Sequence, residues 1–236
     1  MKSSFLTAKE PRQSISALAI CASAILTATT RLTLRVTALP LRDLGRMGVI
    51  SFWAMLAGHA WQLALSWWSQ TPVFDPVFML LLWTVATSFV AVGASSVPRD
   101  VYIIGSRFPA AVLAMLSMVQ AVKPQFGLVE VLLVLAFNGG CLTLLLATSS
   151  APGLAVRLRR LSRIAFVTAY LAGMPIQCMK FYLNGSEGAS PLFWIAMVVS
   201  GAIWAAYNYR KGDDLIAYVF VFSAVLSATL LIQCVV

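Results

Sequence analysis

His59 is the only histidine in a chain of 236 residues, and it stands with Trp61 and Gln62 inside an uncharged apolar run. An imidazole and an amide sharing one helix face suit two tasks. They can line a polar path and relay a proton, or they can hydrogen-bond a neighbouring helix. Trp204 and Asn208 form a second such set, one helical turn apart in another apolar run. His59, Trp61, Trp204 and Asn208 are therefore the candidate path-lining residues. A third group sits around a helix break: Pro175 and Gln177, then Glu187 and Gly188 in a short polar link before Ser190-Pro191. A proline inside a helix removes one backbone hydrogen bond and bends the helix. In a bilayer the freed carbonyl must find a neighbour or cavity water. Pro175, two residues after Gly173, is thus a candidate hinge.

No catalytic or metal-binding set accompanies these residues. Cys21, Cys141, Cys178 and Cys234 lie far apart in apolar runs, without the paired spacing that zinc or redox chemistry needs. The serines have no nearby base, and Asp213-Asp214 read as helix-capping turn residues. The sequence reads as a non-enzyme with no cofactor and no metal.

The positioning elements follow from composition. Apolar residues make up 60% of the chain and charged ones 11%, with a mean hydropathy of +0.87. Soluble domains carry about 25% charged residues, so lipid must act as the solvent here. The net charge of +9 does not imply nucleic acid, because no basic cluster is interleaved with stacking aromatics. Uncharged runs near the roughly 20 residues of a crossing lie at about 15–30, 49–68, 76–97, 106–122, 131–149, 164–179, 190–209 and 215–236. Ala22-Ser23-Ala24 imitates a signal cleavage site, but it lies mid-run, so 15–30 reads as a retained span. The run at 106–122 is the weakest, bounded by Arg107 and Lys123 with Pro109 near its start. It reads as tilted, interfacial or re-entrant as readily as spanning. Arg107 itself reads as an interfacial anchor or a partner for Asp100. Phe52, Trp53, Trp67 and Trp68 read as an interfacial aromatic belt.

With eight spans, one side collects Arg31, Arg35, Arg42, Arg46, Arg99, Arg107, Arg157, Arg159, Arg160, Arg163, Arg210 and Lys211. Lys2, Lys9, Arg12, Lys123 and Lys180 fall on the other, so positive-inside counting places both termini outside the cytoplasm. The cluster from Arg157 to Arg163 reads as a topology signal or a seat for anionic lipid. An internal repeat is also expected. A step of about 143 residues pairs Gly45 with Gly188, Gly58 with Gly201 and Trp61 with Trp204. The expected organisation is a degenerate triple-helix repeat over 1–97, a connector over 98–157 and a second triple-helix repeat over 158–236. As a fold class this is an all-α polytopic bundle of seven or eight spans.

The C-terminal third resembles the PQ-loop superfamily of membrane proteins, which includes the SWEET carriers, cystinosin-like carriers, the KDEL receptor and the mannose-phosphate-dolichol utilisation proteins. The resemblance rests on Pro175 and Gln177, the Glu187-Gly188-Ala189-Ser190 link, Gly201 with Trp204 and Tyr207, and the Lys211-Gly212-Asp213-Asp214 turn. Ile176-Gln177, Tyr182 and Asn184-Gly185 look most like the second repeat of the dolichol-utilisation proteins. Where the family's sugar carriers hold an asparagine, Phe220 or Val221 stands, which argues against a sugar. The resemblance implies alternating access between two triple-helix bundles, carrying a small polar solute such as a sugar, amino acid or organic acid. Its alternative implication is a non-transporting membrane factor of the dolichol-sugar or sorting-receptor kind. Membrane lipids are the other expected partner, nucleic acid is not one, and a homo-oligomer is left open.

Overall fold

The computed structural model describes Thr27, residues 39–186 and residues 188–235. The described residues form seven long helices and no strand: α1 Leu41–Ser69, α2 Pro76–Ala94, α3 Val101–Val122, α4 Leu128–Ser149, α5 Pro152–Asn184, α6 Pro191–Arg210 and α7 Asp214–Val235. Each is long and apolar enough to cross a bilayer. The chain is an integral membrane protein built as an all-α polytopic bundle. Apart from Thr27, the expected span at 15–30 lies outside the described residues.

Local sequence sets the helix starts. Pro76, Pro152 and Pro191 occupy first-turn positions, where a missing N–H is harmless and the fixed φ suits a helix. Asp75 Oδ1 accepts from the N–H groups of Val77 and Phe78 at 2.8 and 3.2 Å, satisfying two otherwise free donors of α2. Asp100 accepts from Ile103 N–H at 3.1 Å, and Asp213 from Ile216 N–H at 3.4 Å.

The run expected to be weakest is a full 22-residue helix, α3. It starts at Val101, ahead of the expected 106, and continues through Pro109. Arg107 is only 5% exposed. Its charge lies inside the bundle and not at the interface, so it does not bound the span. Phe52, expected in an aromatic belt, is likewise fully buried, whereas Trp53, Trp67 and Trp68 do face outward.

The packing is itself repeated. In the first three helices α3 lies between α1 and α2; in the last three α7 lies between α5 and α6. The two triplets meet through α1 against α6 and α2 against α5, contacts that exchange when the triplets are exchanged. Helix α4 touches α2, α3 and α5 from outside and buries only Val134 and Asn138. Since α4 crosses once between them, the two triplets run parallel.

This repeat has a different register from the step of 143 expected from sequence. Helices α1 and α2 answer to α5 and α6, and α3 answers to α7. Apolar helices of similar composition align in many registers, and the link contacts described below select this one. One end of the bundle carries both triplet links, 70–75 and 185–190; it is called the link end. The other is the basic end, with Arg42, Arg46, Arg99, the first turns of α5, Arg210 and Lys211.

Candidate functional site

Two buried glutamines close the link end. Gln62, on α1, donates from Nε2 to Gly188 O at 2.7 Å, and its Oε1 accepts from Ser190 N–H at 2.5 Å. Gln177, on α5, donates to Val73 O at 3.4 Å and accepts from Asp75 N–H at 3.1 Å. Residues 62, 73 and 75 thus answer to 177, 188 and 190, a constant step of 115. Each glutamine reaches from its own triplet to the link of the other. Gly188 has φ +76°, a left-handed conformation that glycine adopts without strain.

The same register governs close approach. A Cβ on Gly58 would lie 3.3 Å from Phe193 Cα, and one on Gly173 would lie 3.2 Å from Leu81 Cβ and 3.6 Å from Phe78. Positions 58 and 193 answer to 173 and 78. The two triplet-to-triplet crossings are therefore built alike, each with a glycine admitting the start of the opposing second helix.

Between the triplets lies a small cavity of about 20 Å³, lined from α1 by Phe52, Met55 and His59, from α2 by Leu82, Val85 and Ala86, from α3 by Arg107 and Ala110, from α5 by Tyr170 and from α6 by Phe193 and Met197. His59 Nε2 and Ser117 Oγ share a hydrogen bond of 2.8 Å, and the ring packs against Phe74 and Phe193. The Arg107 guanidinium lies 4.1 Å from the ring centre of Phe52 and 5.0 Å from Trp204, with Phe89 and Phe220 both at 5.2 Å. A charged side chain deep in a bilayer costs roughly 2.5–3.5 kcal/mol on insertion scales. A desolvated cation over an aromatic face recovers about 2 kcal/mol, so the rings offset much of that cost. They do nothing for the N–H donors in the guanidinium plane.

The basic end is closed by charge. Asp100 Oδ2 accepts from Tyr207 OH at 2.7 Å and from Lys211 Nζ at 2.5 Å, tying the start of α3 to the end of α6. Asp213 pairs with Arg163 at 2.6 Å, a bond inside the second triplet.

The expected site residues fall in different places. His59 lines the cavity, and Trp204 forms part of the arginine's aromatic box. Gln177 and Gly188 belong to the link-end brace. Trp61 is 59% exposed on the outer face of α1 and does not line the cavity, because the buried face of that helix is set by His59 and Gln62 on either side. Asn208 is buried, but its Nδ2 donates to Trp204 O at 2.7 Å and its backbone carbonyl accepts from Lys211 and Asp213, so it finishes α6. Pro175 faces outward within a continuous α5. Glu187 lies outside the described residues.

Sequence reasoning missed Arg107 as a central group. Asp100, its expected partner, is engaged by Tyr207 and Lys211. No local sequence signal marks it, because the rings around it come from four different helices. Gln62 was seen, but its equivalence to Gln177 was hidden by the wrong repeat register. Asn138 Oδ1 accepts from Trp83 Nε1 at 2.9 Å, joining α4 to α2.

No protein-family model, curated protein or solved structure matches the chain.

Proposed function

We propose that the protein is an alternating-access carrier of a small polar solute, of the PQ-loop type, working by relative rocking of the α1–α3 and α5–α7 triplets. One observation carries this reading: a cavity between two equivalent triplets is closed at both ends by contacts that join one triplet to the other. Such contacts must break alternately for a solute to pass, and each is a short polar bond with no covalent restraint. Gln177 stands one residue past the place that the PQ-loop resemblance gives to its motif's glutamine, and Gln62 answers to it in the first triplet, where Ala60 answers to Pro175. Pro175 leaves the Leu171 carbonyl without its helical partner, which makes α5 easier to bend two residues before Gln177.

Counterflow in proteoliposomes, with pooled labelled sugars, amino acids and organic acids, tests the reading. Saturable exchange by the natural chain, slowed in Pro175→Ala, is the expected result. Silence across the panel with folded protein would favour a non-transporting membrane factor.

A further inference from the structure

The central cavity holds a cation that nothing balances. Arg107 is 95% buried, and no ion pair among the described residues includes it. Its faces are covered by aromatic rings, yet Nε and Nη2 are buried without any hydrogen-bond partner. Those two nitrogens form one edge of the guanidinium, with N–H bonds that point the same way. That edge is the fork that grips both oxygens of a planar oxyanion. A buried N–H left unmade costs about 1–3 kcal/mol, so the empty fork favours whatever can fill it.

The surroundings narrow the class. Met55, Leu82, Phe193 and Met197 give the cavity apolar walls, and His59 and Tyr170 are the other polar-tipped residues lining it. A neutral sugar would leave the charge unbalanced, and a cation would be repelled. The volume of about 20 Å³ is room for little more than one water, so even a compact solute seats only as the triplets part and the cavity widens.

We propose that this cavity is the solute site and that its solute is a small monocarboxylate, seated with its two oxygens on the Nε/Nη2 edge of Arg107 and its short apolar remainder against Met55, Leu82 and Phe193. This rests on the carrier reading above and names the solute class.

Acetate is the probe. Full-length protein in detergent is titrated with sodium acetate, glucose and glycine, and with sodium chloride at matched ionic strength, following the thermal unfolding midpoint and equilibrium binding of labelled acetate. Saturable stabilisation by acetate alone is expected. Arg107→Lys keeps the charge but loses the fork, and should weaken acetate binding roughly ten- to a hundredfold. Should that variant not fold, the natural chain decides: stabilisation by glucose or glycine but not acetate, or by acetate and chloride equally, overturns the proposal. Acetate binding without counterflow would sustain the site and sink the carrier reading. Saturable exchange of a neutral solute that acetate does not compete with would do the reverse.

Discussion

Gln62 and Gln177 are the same residue of two equivalent triplets, each hydrogen-bonded to the backbone just before the other triplet's second helix. The two glutamines thus give the link end four amide bonds, beside a fifth from Lys180 Nζ, which donates to Pro72 O at 3.3 Å. Replacing either glutamine by leucine removes two of them and leaves buried backbone groups unpaired. Interhelical side-chain bonds in membranes average about 0.6 kcal/mol, so each variant should lose about 1–2 kcal/mol. Thermal unfolding of Gln62→Leu, Gln177→Leu and the double variant would show near-additive losses, since the two braces share no partner. An unchanged midpoint in both single variants would rule the brace out as a closing contact.

At the basic end the closure is ionic. Asp100→Asn keeps the shape and most of the capping bond to Ile103 but discharges the contact with Lys211. Opening at this end should then become more frequent. The readout is a cysteine at the fully buried Ser106 in a background without native cysteines. Its modification by a water-soluble maleimide should quicken several-fold in the Asp100→Asn variant. In the Asp100 chain, raised salt should produce a weaker change in the same direction.

Gly58 and Gly105 make opposed predictions from one substitution type. A Cβ at 58 would press to 3.3 Å on the Phe193 backbone, which cannot move aside cheaply, whereas nothing lies within 4 Å of one at 105. Gly58→Val should cost about 1–3 kcal/mol through overpacking. Gly105→Ala should be neutral or stabilise by up to about 1 kcal/mol, through helix propensity. Unfolding midpoints of the two purified variants decide, and equal behaviour would contradict the described crossing.

Helix α4 is held chiefly by Asn138, whose Oδ1 accepts from Trp83 Nε1 on α2 and whose Nδ2 donates to Met115 Sδ on α3 at 3.3 Å, with Phe137 against the Trp83 ring. Asn138→Leu should loosen α4 while leaving the triplets assembled. Faster proteolysis in the 123–127 and 150–151 loops, with less than about 2 kcal/mol lost in global stability, is the expected outcome. Collapse of the whole fold would mean that α4 carries more than a connection.

The bundle was legible because lipid solvent imposes a period that composition exposes directly: all the candidate runs from 49 onward became helices. The site was less so. Arg107 looked like a boundary because a lone charge ordinarily ends a span, and only the four rings around it, drawn from α1, α2, α6 and α7, make the interior tolerable. No local pattern announces a box assembled from four helices. The repeat was sensed but misregistered, since glycine and tryptophan matches at a step of 143 outweighed the true pairing of Gln62 with Gln177. That pairing becomes visible only when each glutamine is seen to bind the other triplet's link. Trp61 was drawn in by its neighbours, although it faces away from them.

Because the triplets are parallel, the operation that swaps them returns each end of the bundle to itself. In inverted repeats the corresponding swap would convert an outward-facing arrangement into an inward-facing one. For the carrier proposed above, the two open forms would be unrelated by symmetry, and nothing would oblige their energies to match. One would be released by breaking the bonds of Gln62, Gln177 and Lys180, the other by separating Asp100 from Lys211 and Tyr207. Single substitutions at one end are thus free to bias the resting orientation with no compensating effect at the other.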